Sequence, residues 1–172
     1  ISSQAKAENA ESNVTYLEAL AASGLRSIRM AKEVTGLRRI VANDMEPSAV
    51  EQMRRNVALN DVQEGESFEV RCSDAVDLMY AHRKEDKRFH IVDLDPYGAP
   101  SIFLDGAVQC VRDGGLLQVT ATDLMNLCGN SPDVCFRKYG AVPIKSRFCH
   151  DMAIRILLAS IALKVSSFVL FF

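Results

Sequence analysis

The stretch Phe89-His90-Ile91-Val92-Asp93-Leu94-Asp95-Pro96-Tyr97-Gly98 decides how the rest of the chain is read. Residues 89–94 form a short apolar run of the length and composition of a strand buried in a sheet. Pro96 has no N–H to give to a ladder, so the strand ends before it with its backbone fixed. Two acceptors are left converging at the strand's end, the Asp95 carboxylate and the Pro96 carbonyl, with Tyr97 following as a flat surface.

Working outward, the same unit recurs. Val14–Leu20 is an apolar, β-branched run, and Ala22-Ser23-Gly24 is a turn. Leu25–Val34 then has apolar residues at helical spacing, closed by Gly36. Arg39–Asn43 predicts a second strand, and Glu46-Pro47 opens a helix reaching Asn60 with Pro in its first turn. Ser67–Cys72 alternates as a third strand, followed by a short helix over Ala75–His82. The charged run Arg83–Arg88 is most simply a solvated loop before the fourth strand. A helix over Ser101–Val111, stopped by Gly114-Gly115, leads to a fifth strand at Leu116–Ala121. Residues 122–144 read as irregular, Lys145–Leu163 as the longest helix and Val165–Phe172 as a sixth strand. Five alternations of strand and helix imply an α/β fold: a mostly parallel, Rossmann-like sheet covered on both faces, incomplete at both ends. Residues 1–13, polar and small, read as a flexible arm ahead of a core at 14–172.

Sheets of this kind hold ligands outside the carboxyl ends of their strands. After the first strand, Gly24 offers close backbone approach beside a helix N-terminus, although one glycine is also a common turn residue. The loop lacks the G-x-G-x-x-G of a dinucleotide pyrophosphate site, having Ala22 and Ser27 instead. Asp44, ending the second strand, can accept both hydroxyls of a ribose, or can simply cap a helix. Asp74 with Ala75, after the third strand, can address an adenine through a carboxylate and a backbone N–H; here too capping is the alternative. Arg26 is a candidate to grip a ligand carboxylate bidentately. Together these point to an adenosyl ligand without a diphosphate, S-adenosyl-L-methionine, and to methyl transfer as the reaction class.

Asp95, Pro96 and Tyr97 are the catalytic candidates. The lone pair of an exocyclic amine on a nucleobase is conjugated into the ring and is a poor nucleophile. A carboxylate and a proline carbonyl gripping its N–H bonds would free that lone pair. A flat tyrosine would hold a base lifted out of its helix.

Composition narrows the field. The 172 residues are 48% hydrophobic and 24% charged, with a net charge of −2, as in an ordinary globular domain. No basic stripe announces nucleic acid, and none excludes it. The five cysteines include no C-x-x-C pair, so neither a disulfide framework nor a metal site is expected; buried thiols in a reducing compartment are. His82, His90 and His150 are scattered without ligand spacing. The apolar tract near the C-terminus, broken by Arg155 and Lys164, is too short for a membrane span.

The segments Tyr16–Arg29, Asn43-Asp44, Asp93–Gly98, and Lys138-Tyr139-Gly140 before Lys145-Ser146-Arg147 resemble the tRNA (guanine-26 N2,N2)-dimethyltransferase family, over about residues 14–163. The resemblance implies an S-adenosyl-L-methionine-dependent enzyme placing two methyl groups on the N2 amine of a guanine in tRNA. Arg26, Asp44, Asp74 and Ala75 would contact the cofactor and Asp95, Pro96 and Tyr97 the target amine. It implies a tRNA partner, no membrane, and residence in nucleus, cytoplasm or mitochondrion. Two departures are visible: no upstream Asn-Arg-Asp motif, and no continuation into the family's C-terminal tRNA-binding domain. A catalytically silent methyltransferase-like module is therefore the alternative. A dinucleotide-dependent oxidoreductase on the same fold is a weaker one, since neither its phosphate loop nor a hydride-handling residue is visible.

Overall fold

The computed structural model describes residues 13–169, Val169 only in its backbone; most of the expected N-terminal arm lies outside them. Five strands form one sheet in the order β3-β2-β1-β4-β5, every neighbouring pair parallel. They are β1 (Val14–Glu18), β2 (Leu37–Asp44), β3 (Phe68–Cys72), β4 (Phe89–Leu94) and β5 (Val111–Val119). The helices between them are α1 (Leu25–Glu33), α2 (Pro47–Leu59), α3 (Ala75–Ala81) and α4 (Leu104–Cys110). The chain then runs through α5 (Leu124–Leu127), α6 (Pro132–Tyr139) and α7 (Cys149–Val169). From β1 the chain builds outward through β2 and β3, then returns to β1's other side as β4. The switch point, where such sheets open a crevice, therefore lies between the ends of β1 and β4.

The alternation of side chains across the sheet divides the core. Tyr16, Ile40, Ala42, Phe68 and Val70 pack with Ile28, Val50, Met53 and Val57 of α1 and α2. Leu17, Val41, Val92 and Leu94 pack on the other face with Leu78, Met79, Leu104 and Ala107 of α3 and α4. A smaller cluster, Leu127, Cys135, Tyr139, Ala153 and Ile156, holds α5, α6 and α7 together.

Four expectations need correction. Val165–Val169 is not a strand but the end of α7. No Gly or Pro interrupts the chain after Cys149, so the helix runs through the apolar run; Leu170–Phe172 lie outside the described residues. The glycine pair 114–115 does not stop α4, which ends at Cys110, but sits within β5. Phe89 pairs with Val111 and Ile91 with Leu116, so the intervening residues bulge. A Cβ on Gly115 would stand 2.7 Å from the His90 carbonyl oxygen, which is why glycine is required there. The stretch 122–144 is not wholly irregular but holds α5 and α6, the latter with Pro132 in its first turn and Gly140 as left-handed C-cap. Finally, α4 and α7 start a turn later than expected, at Leu104 and Cys149.

Candidate functional site

Side chains from the carboxyl ends of β1, β2 and β4 converge on a cleft of about 760 Å³. Its walls include Glu18, Ala22, Arg26, Asp44, Met45, Asp95, Pro96, Tyr97, Phe103 and Thr122. A second groove, lined by Arg83, Lys84, Arg88 and Asp113, lies where the chain enters β4 and β5. It is at the wrong end of the strands for a switch-point ligand and gathers no carboxylates from several strands.

The floor is a charged network. Arg26, near the start of α1, donates through one terminal nitrogen to Asp93 Oδ2 (2.7 Å) and through the other to Asp95 Oδ2 (2.6 Å). Asp93 is buried, and Tyr16 donates its hydroxyl to the same oxygen (3.1 Å). Burial, reinforced by the Glu18 and Asp93 carboxylates, pushes the Tyr16 phenol far above its ordinary range, so it stays a donor. The bond to Asp93 leads the effects that hold Arg26 firmly protonated. Glu18 accepts from the Ser27 N–H (2.9 Å) and its hydroxyl. Burial nevertheless dominates and pushes the Glu18 carboxyl up to about 7.

The loops above this floor are tied to one another. Asp44 accepts from the Ala22 N–H (2.8 Å) and the Glu46 N–H (3.0 Å), joining the loops after β1 and β2. Asn43, buried, donates to the carbonyls of Ala19 and Ser73 at 3.0 Å each and accepts from the Ser73 hydroxyl (2.7 Å), so one side chain pins the ends of three strands. The Gly98 N–H donates to Thr122 Oγ1 (2.9 Å), and the Thr122 N–H to the Gly98 carbonyl (3.0 Å). That pair braces the loop carrying Pro96, which is buried, and Tyr97, whose ring is wholly exposed. Lys138 and Tyr139 both donate to Asp123, fixing α6 to the chain leaving β5.

Of the residues expected at the site, Arg26, Asp44, Asp95, Pro96 and Tyr97 line the cleft. Gly24, Asp74 and Ala75 are not among its lining residues. Gly24 has φ +72°, and a Cβ there would stand 2.4 Å from Met53 Cγ; its lack of a side chain serves the packing of α1 on α2. Asp74 caps α3, accepting from the Val76 N–H (2.7 Å) and the Asp77 N–H (3.2 Å), and Ala75 is buried. Sequence reasoning missed Glu18, Ser27 and Asn43 as parts of the framework. The available signal was a polar residue inside an apolar strand, at Glu18 and Asn43.

The cleft suits an adenosyl sulfonium donor. Asp44 keeps lone pairs for ribose hydroxyls beyond its two backbone bonds, and Arg26 keeps three N–H donors beyond the two engaged. Met45, Ile102 and Phe103 give apolar walls.

Comparison with known proteins gives a concordant result. Residues 2–171 match the model of the family described as N2,N2-dimethylguanosine tRNA methyltransferase. The chain is 55% identical over 148 residues to a tRNA (guanine(26)-N(2))-dimethyltransferase of Drosophila melanogaster, covering 86% of this chain and 25% of that protein. It is 53% identical over 161 residues to the Homo sapiens protein of the same name, covering 94% of this chain and 24% of that one. Among solved structures it is similar to Trm1 from Pyrococcus horikoshii in complex with S-adenosyl-L-methionine. The TM-score is 0.83 and the identity 40%, over 90% of this chain and 44% of that one. The chain thus spans about a quarter of the length of the fly and human proteins.

Proposed function

Because the chain belongs to the N2,N2-dimethylguanosine tRNA methyltransferase family, we propose that it is the donor-binding and catalytic core of an enzyme that dimethylates the exocyclic N2 amine of guanine 26 in tRNA. S-adenosyl-L-methionine would supply an electrophilic methyl group on a sulfonium. Asp44 would accept from its ribose and Arg26 donate to its carboxylate; Asp74 and Ala75 lie outside the cleft lining, so an adenine contact would have to reach past it to the Ala75 N–H and to Asp74 Oδ2, which the α3 cap bonds do not use. The free thiols of all five cysteines suit a reducing compartment, which we take to be nuclear, cytoplasmic or mitochondrial.

One observation carries the reading: Asp95 sits on the cleft wall with one carboxylate oxygen held by Arg26. Rotation of that carboxylate is thereby restricted, and Oδ1 is the acceptor left for an amine N–H. Asp95 and the Pro96 carbonyl grip the guanine amine; Tyr97 offers its exposed ring to a base drawn out of the tRNA stack. Methyl transfer would form the N–CH3 bond as the donor's S–CH3 bond breaks, a neutral thioether being the leaving group. The proton lost by the amine passes to Asp95, directly or through water. Held in line, the two reactants need little further ordering, which accounts for much of the rate. The second methyl repeats the step on the monomethylated amine.

The test separates donor binding from transfer. Asp95→Ala should retain S-adenosyl-L-methionine binding by calorimetry and lose labelled-methyl transfer into unmodified tRNA by about 10²–10⁴-fold. Near-normal transfer would overturn the role of Asp95. The quarter-length match to the fly and human relatives favours one second reading, a donor-binding module without transfer of its own. In that case the unaltered chain binds donor and leaves tRNA unmodified.

A further inference from the structure

Away from the cleft, Cys128 and the pair Cys149-His150 are distant in sequence and adjacent in space. Cys128 is the C-cap of α5, and Cys149 and His150 are the first two residues of α7. Their two sulfurs and one imidazole nitrogen all lie within 4.8 Å of one another, with Cys128 Sγ 4.0 Å from His150 Nδ1. Among the described residues this is the one group of three metal-ligating side chains so gathered. The backbone is shaped to allow it. Gly129, at φ +94°, lets the chain after Cys128 pass so close that a Cβ would stand 2.9 Å from the Lys145 nitrogen. Both thiols are free and half-buried, while His150 is exposed.

We propose that Cys128, Cys149 and His150 form a binding site for a thiophilic divalent cation, zinc foremost, with solvent in the fourth position. Two thiolate sulfurs and an imidazole are the donor set that zinc prefers to magnesium or calcium. A tetrahedral zinc with Zn–S of about 2.3 Å and Zn–N of about 2.0 Å sets its ligand atoms about 3.5–3.8 Å apart. The observed separations, all within 4.8 Å, come to that range by small side-chain rotations of the two cysteines and of the exposed His150. Each thiol passes its proton to solvent as its sulfur takes the metal. Bound there, the ion would clamp the start of α7 to the segment leaving β5, the segment whose Thr122 braces the Gly98 turn beside the cleft.

The test is titration of the full 172-residue chain, kept reduced, with Co²⁺ as a spectroscopic probe and Zn²⁺ in competition. The expected result is one equivalent of Co²⁺ with intense tetrahedral d–d bands and thiolate charge transfer, displaced by Zn²⁺. Cys128→Ser should weaken binding by about a hundredfold or more, since even outer-shell changes cost about 10–100-fold. Cys72→Ser, at an exposed thiol outside the cluster, should bind as the unaltered chain does. His150→Gln, whose exposed ring makes its loss harmless to folding, keeps the test valid if a cysteine variant misfolds; it should lose affinity similarly. Zn²⁺ should also raise the melting temperature of the unaltered chain and not that of Cys149→Ser. A weak octahedral Co²⁺ spectrum, full-strength binding by Cys128→Ser, or a Cys128–Cys149 disulfide persisting under reductant would each overturn the proposal.

Discussion

Replacing Arg26 by alanine tests the network beneath the cleft. Arg26 pairs with Asp93, whose side chain is 4% exposed, and with Asp95, which is 34% exposed. Removing one partner of a buried pair costs about 3–5 kcal/mol, because the other charge is left uncompensated. Arg26 is itself 43% exposed, so water screens the pair and enters the space left behind. A hydrogen bond to a charged group contributes about 1.5–3 kcal/mol, and Tyr16 still donates to the orphaned Asp93. We therefore expect Arg26→Ala to lower stability by about 2–3 kcal/mol, a fall of about 1–2 M in the urea midpoint at neutral pH. Adding Asp93→Asn removes the orphaned charge and should restore about 1–2 kcal/mol of that loss. Urea unfolding of the two single variants and the double variant, followed by circular dichroism, closes the cycle. A cost below about 0.5 kcal/mol for Arg26→Ala, or a double variant less stable than Arg26→Ala alone, would refute the reasoning. The first of these outcomes would mean that Arg26 serves only a ligand.

Gly24→Ala should cost about 2–4 kcal/mol in urea unfolding, from the left-handed backbone and the clash with buried Met53; in a Met53→Ala background the clash part should vanish. Glu18 has its carboxyl raised from 4.5 to about 7, so the folded state binds more protons than the unfolded one between those values. Its contribution is full below about pH 4.5 and is lost as pH rises through about 7, with a ceiling of about 3 kcal/mol. Denaturation at pH 5 and pH 8 should show a smaller decline for Glu18→Gln than for the unaltered chain. Asn43→Asp sets an acceptor against the Ala19 and Ser73 carbonyls in a buried position, and should lower the unfolding free energy by about 2–5 kcal/mol.

Strands were readable wherever an apolar run was bounded by turn chemistry. Phe89–Leu94 was legible to the residue because Pro96 and the flanking charges mark both ends. Val165–Val169 was not, since a short β-branched run reads equally as strand or helix end and only the uninterrupted turns before it decide. The bulge at Gly114-Gly115 depends on how closely His90 of the neighbouring strand approaches, a non-local fact. At the site, Asp95 and Asp44 were legible as strand-end acids and Arg26 as a cation opening the helix after β1. The partners of Arg26 were not, because they follow from β4 lying beside β1, which sequence order does not state. The Cys128, Cys149 and His150 group escaped for the same reason: its members belong to two elements and share no spacing motif.

The sheet order acts as a ruler. Asp44 ends β2 and Asp95 follows the end of β4, with β1 between them, paired in parallel to both from Tyr16 to Glu18. Two inter-strand steps of about 4.8 Å set the backbones that carry these carboxylates roughly 10 Å apart across the crevice. That span is written in backbone ladders rather than in loop conformation. Substitutions in the loops can alter what is admitted, yet the span between the two backbone anchors changes only if a strand does.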